Sequence, residues 1–456
     1  MDALHDSIAV VGLGKLGLPW ACVLASKGMK VQAIDCSIDA VEIVCRRRYV
    51  GPEPHVAEML SDFGESITAS TDYLPIAGTS VAFVVVNTPN VEGKFSLQYV
   101  LPAVREIARR VTQVAIPKYM IVVVSTVMPE DCANQIWPAI EEATGSRRGQ
   151  GIELVYCPEF VALGRVVENM LNPEFIVIGS RSPGSAATMA RFYRIVVGNQ
   201  PNICCTTLVN AEIAKLALNV AVSFKITCAN LFAAICEKIP DADVDEVTRA
   251  VGSDSRIGSR FFRGGLGYAG PCFPRDVQSL RTLCAELNLD TAIPDAVDRF
   301  NRSLPAGLMQ VVLRSPPQSG SVAVLGLSYR AGTGIDKDSQ AVDLVQGLLA
   351  AHIPVAVYDP QITSETSTLG RRRGLTWCDT LDDCLSLADK IIIATEDDQF
   401  KAVSPRKCRG KTVIDCWRQI PPGHFDGTNV VYIALGRGVD SARNRSERRP
   451  QRSCTE

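Results

Sequence analysis

The segment Ile8-Ala9-Val10-Val11-Gly12-Leu13-Gly14-Lys15-Leu16-Gly17 runs a short apolar stretch directly into a glycine loop, and Leu18 to Lys27 then continues with a helical pattern. Strand, glycine loop and helix in that order form the entry to a dinucleotide-binding unit. Gly12 permits the tight turn, Gly14 lets backbone approach a pyrophosphate, and Gly17 allows the helix to sit close on the strand. The helix N-terminus favours the negative charge. A second strand, Val31 to Ile34, ends in Asp35, 21 residues after Gly14. At that spacing an acid accepts the ribose hydroxyls. No arginine follows Asp35 directly, which favours NAD over NADP. The loop residues Gly12, Gly14, Leu16 and Gly17, together with Asp35, are the first candidate cofactor contacts.

Further apolar runs follow at Ile67–Ser70, Val81–Val86, Met120–Val124 and Ile152–Tyr156. Uninterrupted runs suit parallel strands covered on both faces. Ligands of such sheets sit beyond the carboxyl ends of the strands, which here present Thr88, Ser125 and Thr126, each of which can equally cap a helix. The last run delivers Cys157-Pro158-Glu159-Phe160, whose glutamate is the best-placed acid of this half. Around Ser319 a second series begins: Val322–Gly326 echoes Ile8–Gly12, Val355–Asp359 echoes Val31–Asp35, and Lys390–Ala394 and Val413–Asp415 supply later strands. The second copy lacks the later glycines, so it does not hold another dinucleotide in the same way. Arg330 at its turn can grip a diphosphate bidentately or simply lie on the surface. Pro305 and the 314–320 stretch read as a hinge before this copy.

Between the two series, Val209 to Glu237 reads as one long helix, a spine between domains and a platform for subunits. Lys215 and Asn219 share a face at i and i+4. The lysine either snorkels to solvent or is desolvated to position a substrate, and periodicity does not choose. Asp243 to Val251 forms a shorter helix. Then comes Gly264-Gly265-Leu266-Gly267-Tyr268-Ala269-Gly270-Pro271-Cys272-Phe273-Pro274-Arg275-Asp276. An ordinary unpaired cysteine is a small buried hydrophobe. This one follows a glycine-rich approach that lets backbone come close to a bound substrate, and two prolines stiffen its turn. Cys272 is therefore a candidate nucleophile, with Asp276 as a nearby base or orienter.

The whole chain of 456 residues, with 46% hydrophobic and 21% charged residues and a formal net charge of −2, has the profile of a multidomain globular protein without a nucleic-acid partner. No apolar run stands out as long enough to cross a bilayer and no secretory pattern opens the chain, so the expected compartment is the cytosol, with no membrane partner. The sixteen cysteines include no Cys-x-x-Cys pair and the histidines number four, so no metal site is expected. Ser441 to Glu456 is polar and arginine-rich and reads as a disordered tail.

With these motifs in order, the chain resembles the UDP-glucose/GDP-mannose dehydrogenase family from about Ser7 to Gly438. The resemblance rests on the glycine loop, Asn87-Thr88-Pro89, Ser125-Thr126-Val127, Pro158-Glu159-Phe160, Glu212-x-x-Lys215-x-x-x-Asn219, Gly270-x-Cys272-Phe273-Pro274-x-Asp276 and Gly436-Arg437-Gly438. It implies an α/β protein with two Rossmann-like, doubly wound parallel-sheet domains joined by a central helical domain with a long spine helix. The implied domains are an NAD-binding domain over residues 1–205, a helical dimerisation and catalytic domain over 206–304, and a nucleotide-sugar domain over 305–440. The implied reaction oxidises the CH2OH of a nucleotide sugar, most simply UDP-glucose, to a carboxylate with two NAD per turnover. Cys272 would be the nucleophile, with Lys215 and Asp276 as charge and proton partners. Glu159 and Thr126 would flank the hydrolytic water, and Asn219 would hold the sugar. Phe160, Val161, Leu163, Tyr268, Gly270, Tyr329 and Arg330 would complete the substrate contacts, with Arg256 reaching the sugar of a neighbouring subunit in a homodimer or larger homo-oligomer.

The residue types suit that chemistry independently. A thiolate traps the aldehyde left by a first hydride transfer, a second transfer gives a thioester, a carboxylate activates water to release the acid, and an ammonium steadies the oxyanions. Departures from the family's usual residues fall at Pro271, Leu163, Phe175, Tyr329-Arg330 and Lys337-Asp338-Ser339. Those at Leu163 and Phe175 bear on which sugar and nucleotide are taken, leaving dTDP-glucose or another hexose as alternatives. A simple 3-hydroxy-acid dehydrogenase would need neither Cys272 nor the third domain, and a silent binding protein would not need the reactive set.

Overall fold

In the first strand, Ile8 and Val10 point into one hydrophobic core while Ala9 and Val11 point into another. Val322 and Val324, and Ala323 and Leu325, divide in the same way between two further cores. Each strand is thus apolar on both faces because each sheet is covered on both faces, which is what the uninterrupted runs predict. The computed structural model describes residues 7–116, 118–146, 151–314 and 320–438. The disordered-tail expectation for Ser441 to Glu456 and residues 315–319 of the expected hinge lie outside them. The chain divides at Leu218/Asn219 into two compact units.

The first unit holds β1 (Ser7–Val11), β2 (Lys30–Ile34), β3 (Ile67–Ser70), β4 (Val81–Val84), a small ribbon of β5 (Asn90–Val91) and β6 (Lys94–Phe95), β7 (Tyr119–Val123), β8 (Ile152–Tyr156), β9 (Phe175–Ser180) and β10 (Asn202–Thr206). The main sheet runs β10-β9-β8-β7-β4-β1-β2-β3. The order reverses beside β1, which opens the crevice for a ligand between the ends of β1 and β4. All its pairs are parallel except β8 with β9, which are antiparallel. The six-residue helix Val166–Leu171 lies between those two strands.

The second unit contains the sheet β13-β12-β11-β14-β15-β16, all parallel. Its strands are β11 (Val322–Leu325), β12 (Val355–Tyr358), β13 (Leu375–Trp377), β14 (Lys390–Ile393), β15 (Thr412–Asp415) and β16 (Val431–Ala434). The expected repeat is present in its geometry. In the first sheet the Leu13 N–H donates to Asp35 Oδ2 at 2.6 Å, and in the second the Leu327 N–H donates to Asp359 Oδ2 at 2.8 Å.

Two expectations need correction. Pro305 is not a hinge but lies inside the helix Ala292–Leu313. A proline there removes the bond to the carbonyl four residues back. That carbonyl, of Asn301, accepts instead from Gln340 Nε2 at 2.9 Å, so the helix continues. The spine helix, Leu208–Cys236, is also long and apolar enough to cross a membrane, with a window of mean hydropathy 1.5 of which only 28% is buried. Its few charges, Glu212, Lys215 and Lys225, are widely spaced, which is why no continuous run stands out in the sequence.

Candidate active site

In the first unit the glycine loop is built from inside. Gly12 has φ +98°, and a Cβ there would lie 2.4 Å from the Val85 carbonyl oxygen; one on Gly17 would lie 1.7 Å from the Gly12 oxygen. The protein's own packing therefore requires these two glycines. A Cβ on Gly14 would meet nothing within 4 Å, so open space lies over the loop at the N-terminal end of helix Gly17–Ser26, where Leu16 is the capping residue. A dinucleotide fits this cradle: space beside a helix N-terminus for phosphates and a carboxylate for ribose hydroxyls. Asp35 accepts the Leu13 and Ser37 N–H groups at 2.6 and 2.8 Å and keeps further lone pairs for a ligand.

At the ends of β4 and β7, Thr88 is buried and Thr126 half-buried. Ser125 differs from a free donor. Its hydroxyl donates to the Val86 carbonyl at 2.7 Å and accepts the Val86 N–H at 2.9 Å, lacing the two strand ends together.

Lys215 is only 9% exposed, so it does not snorkel. Its ammonium donates to the Glu159 carbonyl at 2.6 Å and lies 4.9 Å from the Phe160 ring centre. Burial pushes the Glu159 carboxyl up from 4.5 to about 7, with the Lys215 charge and the Tyr193 hydroxyl opposing in part. The Tyr193 hydroxyl donates to Glu159 Oε1 at 3.4 Å. Val161 and Leu163 follow in the same loop, both half-buried. Sequence reasoning gave Glu212 no task. It is fully buried and accepts the Glu130 and Cys132 N–H groups at 2.7 and 2.8 Å, at the start of the wide turn Cys132–Ile136. Its i, i+3 spacing to Lys215 was the available signal.

In the second unit, Cys272 is exposed and occupies the N-cap of helix Phe273–Glu286, with Asp276 in the first turn. Asp276 is fully buried. It accepts from Asn219 Nδ2 at 2.6 Å and from Arg275 Nε at 2.8 Å, and its N–H donates to the Cys272 carbonyl at 2.9 Å. The helix N-terminus beside Cys272 favours negative charge on an adduct.

The glycines ahead of Cys272 are explained differently from expectation. Their close approaches are to the protein itself. A Cβ on Gly264 would lie 2.8 Å from Ala233, on Gly265 2.5 Å from the Trp417 ring, on Gly267 2.0 Å from the Asn301 amide oxygen, and on Gly270 2.6 Å from the Tyr329 ring. Hydrogen bonds complete the mooring: Gly265 N–H to Asn230 Oδ1 at 2.8 Å, Gly267 N–H to Gln340 Oε1 at 2.7 Å, Asn301 Nδ2 to the Tyr268 carbonyl at 2.9 Å, and Arg418 Nη2 to the Gly264 carbonyl at 2.6 Å. Tyr268 itself is 2% exposed, which sets its side chain behind the loop. Arg330 is exposed, and Arg256, also exposed, pairs with Asp254 at 2.6 Å. Beside the carboxyl ends of β11, β12 and β14, a recess is lined by Ser328, Gly332, Asp359, Gln361 and Thr395. Among the described residues no His, Cys, Asp and Glu group could hold a metal ion.

Three profiles of one family match in order: its NAD binding domain over residues 6–197, its central domain over 209–303 and its UDP binding domain over 323–422. The chain belongs to the UDP-glucose/GDP-mannose dehydrogenase family. Among curated relatives, it is similar to UDP-glucose 6-dehydrogenase AglM of Haloferax volcanii, at 31% identity over 90% of this chain and 96% of the other. The UDP-glucose 6-dehydrogenase of Rickettsia felis is 28% identical over 87% and 88%. Among solved structures, a UDP-glucose dehydrogenase from Pyrobaculum islandicum superposes with TM-score 0.85 at 28% identity, covering 95% of this chain and 98% of that one. A UDP-D-ManNAc dehydrogenase from Pyrococcus horikoshii gives 0.80 at 25%, covering 94% and 99%. As a member of this dehydrogenase family, the chain is an NAD-dependent nucleotide-sugar dehydrogenase.

Proposed function

We propose that the protein oxidises UDP-glucose at C6 to UDP-glucuronate in two successive steps through one cysteine. The observation that carries this reading is Cys272, exposed at a helix N-terminus on a stretch moored along its length. Gly12, Gly14, Leu16, Gly17, Asp35, Thr88, Ser125 and Thr126 would hold NAD, which when bound accepts hydride from the sugar carbon. Cys272 attacks the aldehyde carbon to form a thiohemiacetal and, after the second oxidation, holds the acid as a thioester. Asp276 and Asn219 set the polar floor beneath the cysteine turn, and the Lys215 ammonium supplies positive charge for the oxyanions. Glu159, its carboxyl poised near neutrality, takes a proton from the water that releases the acid, with Thr126 as a partner of that water. Phe160, Val161, Leu163, Gly270, Tyr329 and Arg330 are assigned to the substrate, whereas the buried Tyr268 supports the loop from behind.

The similarity to a UDP-D-ManNAc dehydrogenase structure supports a second reading, the same chemistry on an N-acetylated hexosamine. We assign the functional segments to residues 1–205, 206–304 and 305–440. We read the apolar spine helix as a subunit interface rather than a membrane span: Leu231, Phe232 and Ile235 all expose apolar surface, and a homodimer in the cytosol covers them. Arg256 then reaches the partner's substrate.

The test is NADH formed per mole of substrate with UDP-glucose, dTDP-glucose, GDP-mannose and UDP-N-acetylmannosamine, beside a Cys272→Ser variant. Two NADH from UDP-glucose, and a variant that stalls before the acid, are expected. One NADH per sugar would mean that the aldehyde leaves and that the cysteine is not a trap.

A further inference from the structure

The loop that carries Glu159, Phe160, Val161 and Leu163 is held at its far end by a residue from a distant part of the first unit. Glu53 Oε2 accepts the Gly164 N–H at 2.7 Å, and Glu53 Oε1 accepts the Val166 N–H at 2.6 Å. One carboxylate thus closes the loop, at Gly164 with φ +83°, and caps the helix Val166–Leu171, whose own N-cap residue Arg165 makes no side-chain cap bond. Bonds of this kind, from backbone N–H to an ionised acceptor, are the strong ones.

Glu53 is itself held for the task. It stands between Pro52 and Pro54, which restrict its backbone. Its N–H donates to the Tyr49 hydroxyl at 3.4 Å. Gly51 lies against the Tyr49 ring, where a Cβ would come within 2.2 Å, and Tyr49 rests on the core of the first sheet. At its near end the loop is fixed by Lys215 on the Glu159 carbonyl, and in its middle the Ala162 N–H donates to Asn169 Oδ1 at 3.1 Å.

We propose that Glu53 is a positioning residue for the sugar end of the substrate, fixing the Val161–Leu163 backbone from outside the site. This inference rests on the nucleotide-sugar reading above. It needs two acceptor oxygens, which glutamine lacks: in Glu53→Gln one N–H faces the amide NH2 and loses its bond.

The experiment compares wild type, Glu53→Gln and Glu53→Asp in two ways. In ligand-free protein, hydrogen exchange of the Gly164 and Val166 amides is expected to speed up by about tenfold or more in Glu53→Gln, the size set by loss of a bond to a charged acceptor, while the amides of β1 and β4 are unchanged. In turnover with UDP-glucose, the sugar KM is expected to rise by about tenfold while the NAD KM and the melting temperature stay near wild type, with Glu53→Asp intermediate in both measurements. Unchanged exchange at the two amides overturns the proposal. So does a rise of both KM values together with a fall in melting temperature, which marks a structural role alone. Wild-type protein that reduces NAD with none of the sugar nucleotides overturns the functional reading itself, an outcome distinct from a wild type that turns over while its Glu53→Gln variant shows no sugar-specific defect.

Discussion

Asn219 donates a 2.6 Å hydrogen bond to a carboxylate, that of Asp276, with no exposed surface. The other Asp276 oxygen accepts from Arg275, so both carboxylate oxygens are held by the protein's own donors. Replacing Asn219 by alanine leaves a buried carboxylate short of a donor. The expected cost is about 1–3 kcal/mol of stability, measured by urea denaturation. Asp276→Asn is expected to lower kcat by roughly a hundredfold or more if the carboxylate handles a proton, measured by steady-state NADH formation.

Glu159 gives a pH signature with a definite sign. Its folded value of about 7 stands above the ordinary 4.5 because burial favours the neutral form. Between those values the folded state binds more protons than the unfolded one, so this group's contribution to stability falls as pH rises through the window and levels off above it. Glu159→Gln removes that slope, and the difference between wild-type and variant melting curves from pH 4.5 to 7 isolates it. On the proposed role of Glu159 as the base, acid release should fall about tenfold per pH unit below 7 as its carboxylate becomes protonated, and the variant should accumulate covalent enzyme-bound sugar visible by mass spectrometry.

The glycine loop separates packing from binding. Gly17→Ala drives a Cβ into the Gly12 carbonyl at 1.7 Å and should cost about 1–3 kcal/mol of stability. Gly14→Ala meets no atom of the protein, so its melting temperature without ligand should match wild type while NAD affinity, read by titration calorimetry, falls by about tenfold or more. Equal loss of stability in both variants would refute this division.

If the exposed face of the spine helix is a subunit interface, Phe232→Asp should shift sedimentation from dimer to monomer. A charge buried at an apolar interface costs several kcal/mol. An unchanged sedimentation coefficient would place the interface elsewhere.

Much of this was legible from residues alone. Strands buried on both faces announce themselves as apolar runs, so β1, β4, β7, β8, β11 and β14 stand out. The edge strand β10, Asn-Ile-Cys-Cys-Thr with mostly exposed positions, carries no such mark. Pro305 obeyed a local rule that Gln340, a tertiary partner, overrides. Periodicity placed Lys215 and Asn219 on one face, but only burial could say that the lysine is desolvated. The glycines of Gly264–Gly270 signalled close approach correctly, yet sequence does not reveal whether the approaching surface is a ligand or the protein's own Trp417 and Tyr329. Glu53 was invisible, and Glu212 was marked only by its spacing to Lys215, because their partners are backbone N–H groups far along the chain.

The mooring of that glycine stretch makes the thiol a passenger of the C-terminal sheet. Gly265 rides on Trp417, Gly267 on Gln340 and Gly270 on Tyr329, all borne by that sheet or the segments joining its strands. The Cys272 turn and the side chains that moor it are thus inherited as one module. Transplanting the cysteine motif into another scaffold would fail without those three side chains, and drift at any of them would be felt at the sulfur before it was felt in the fold.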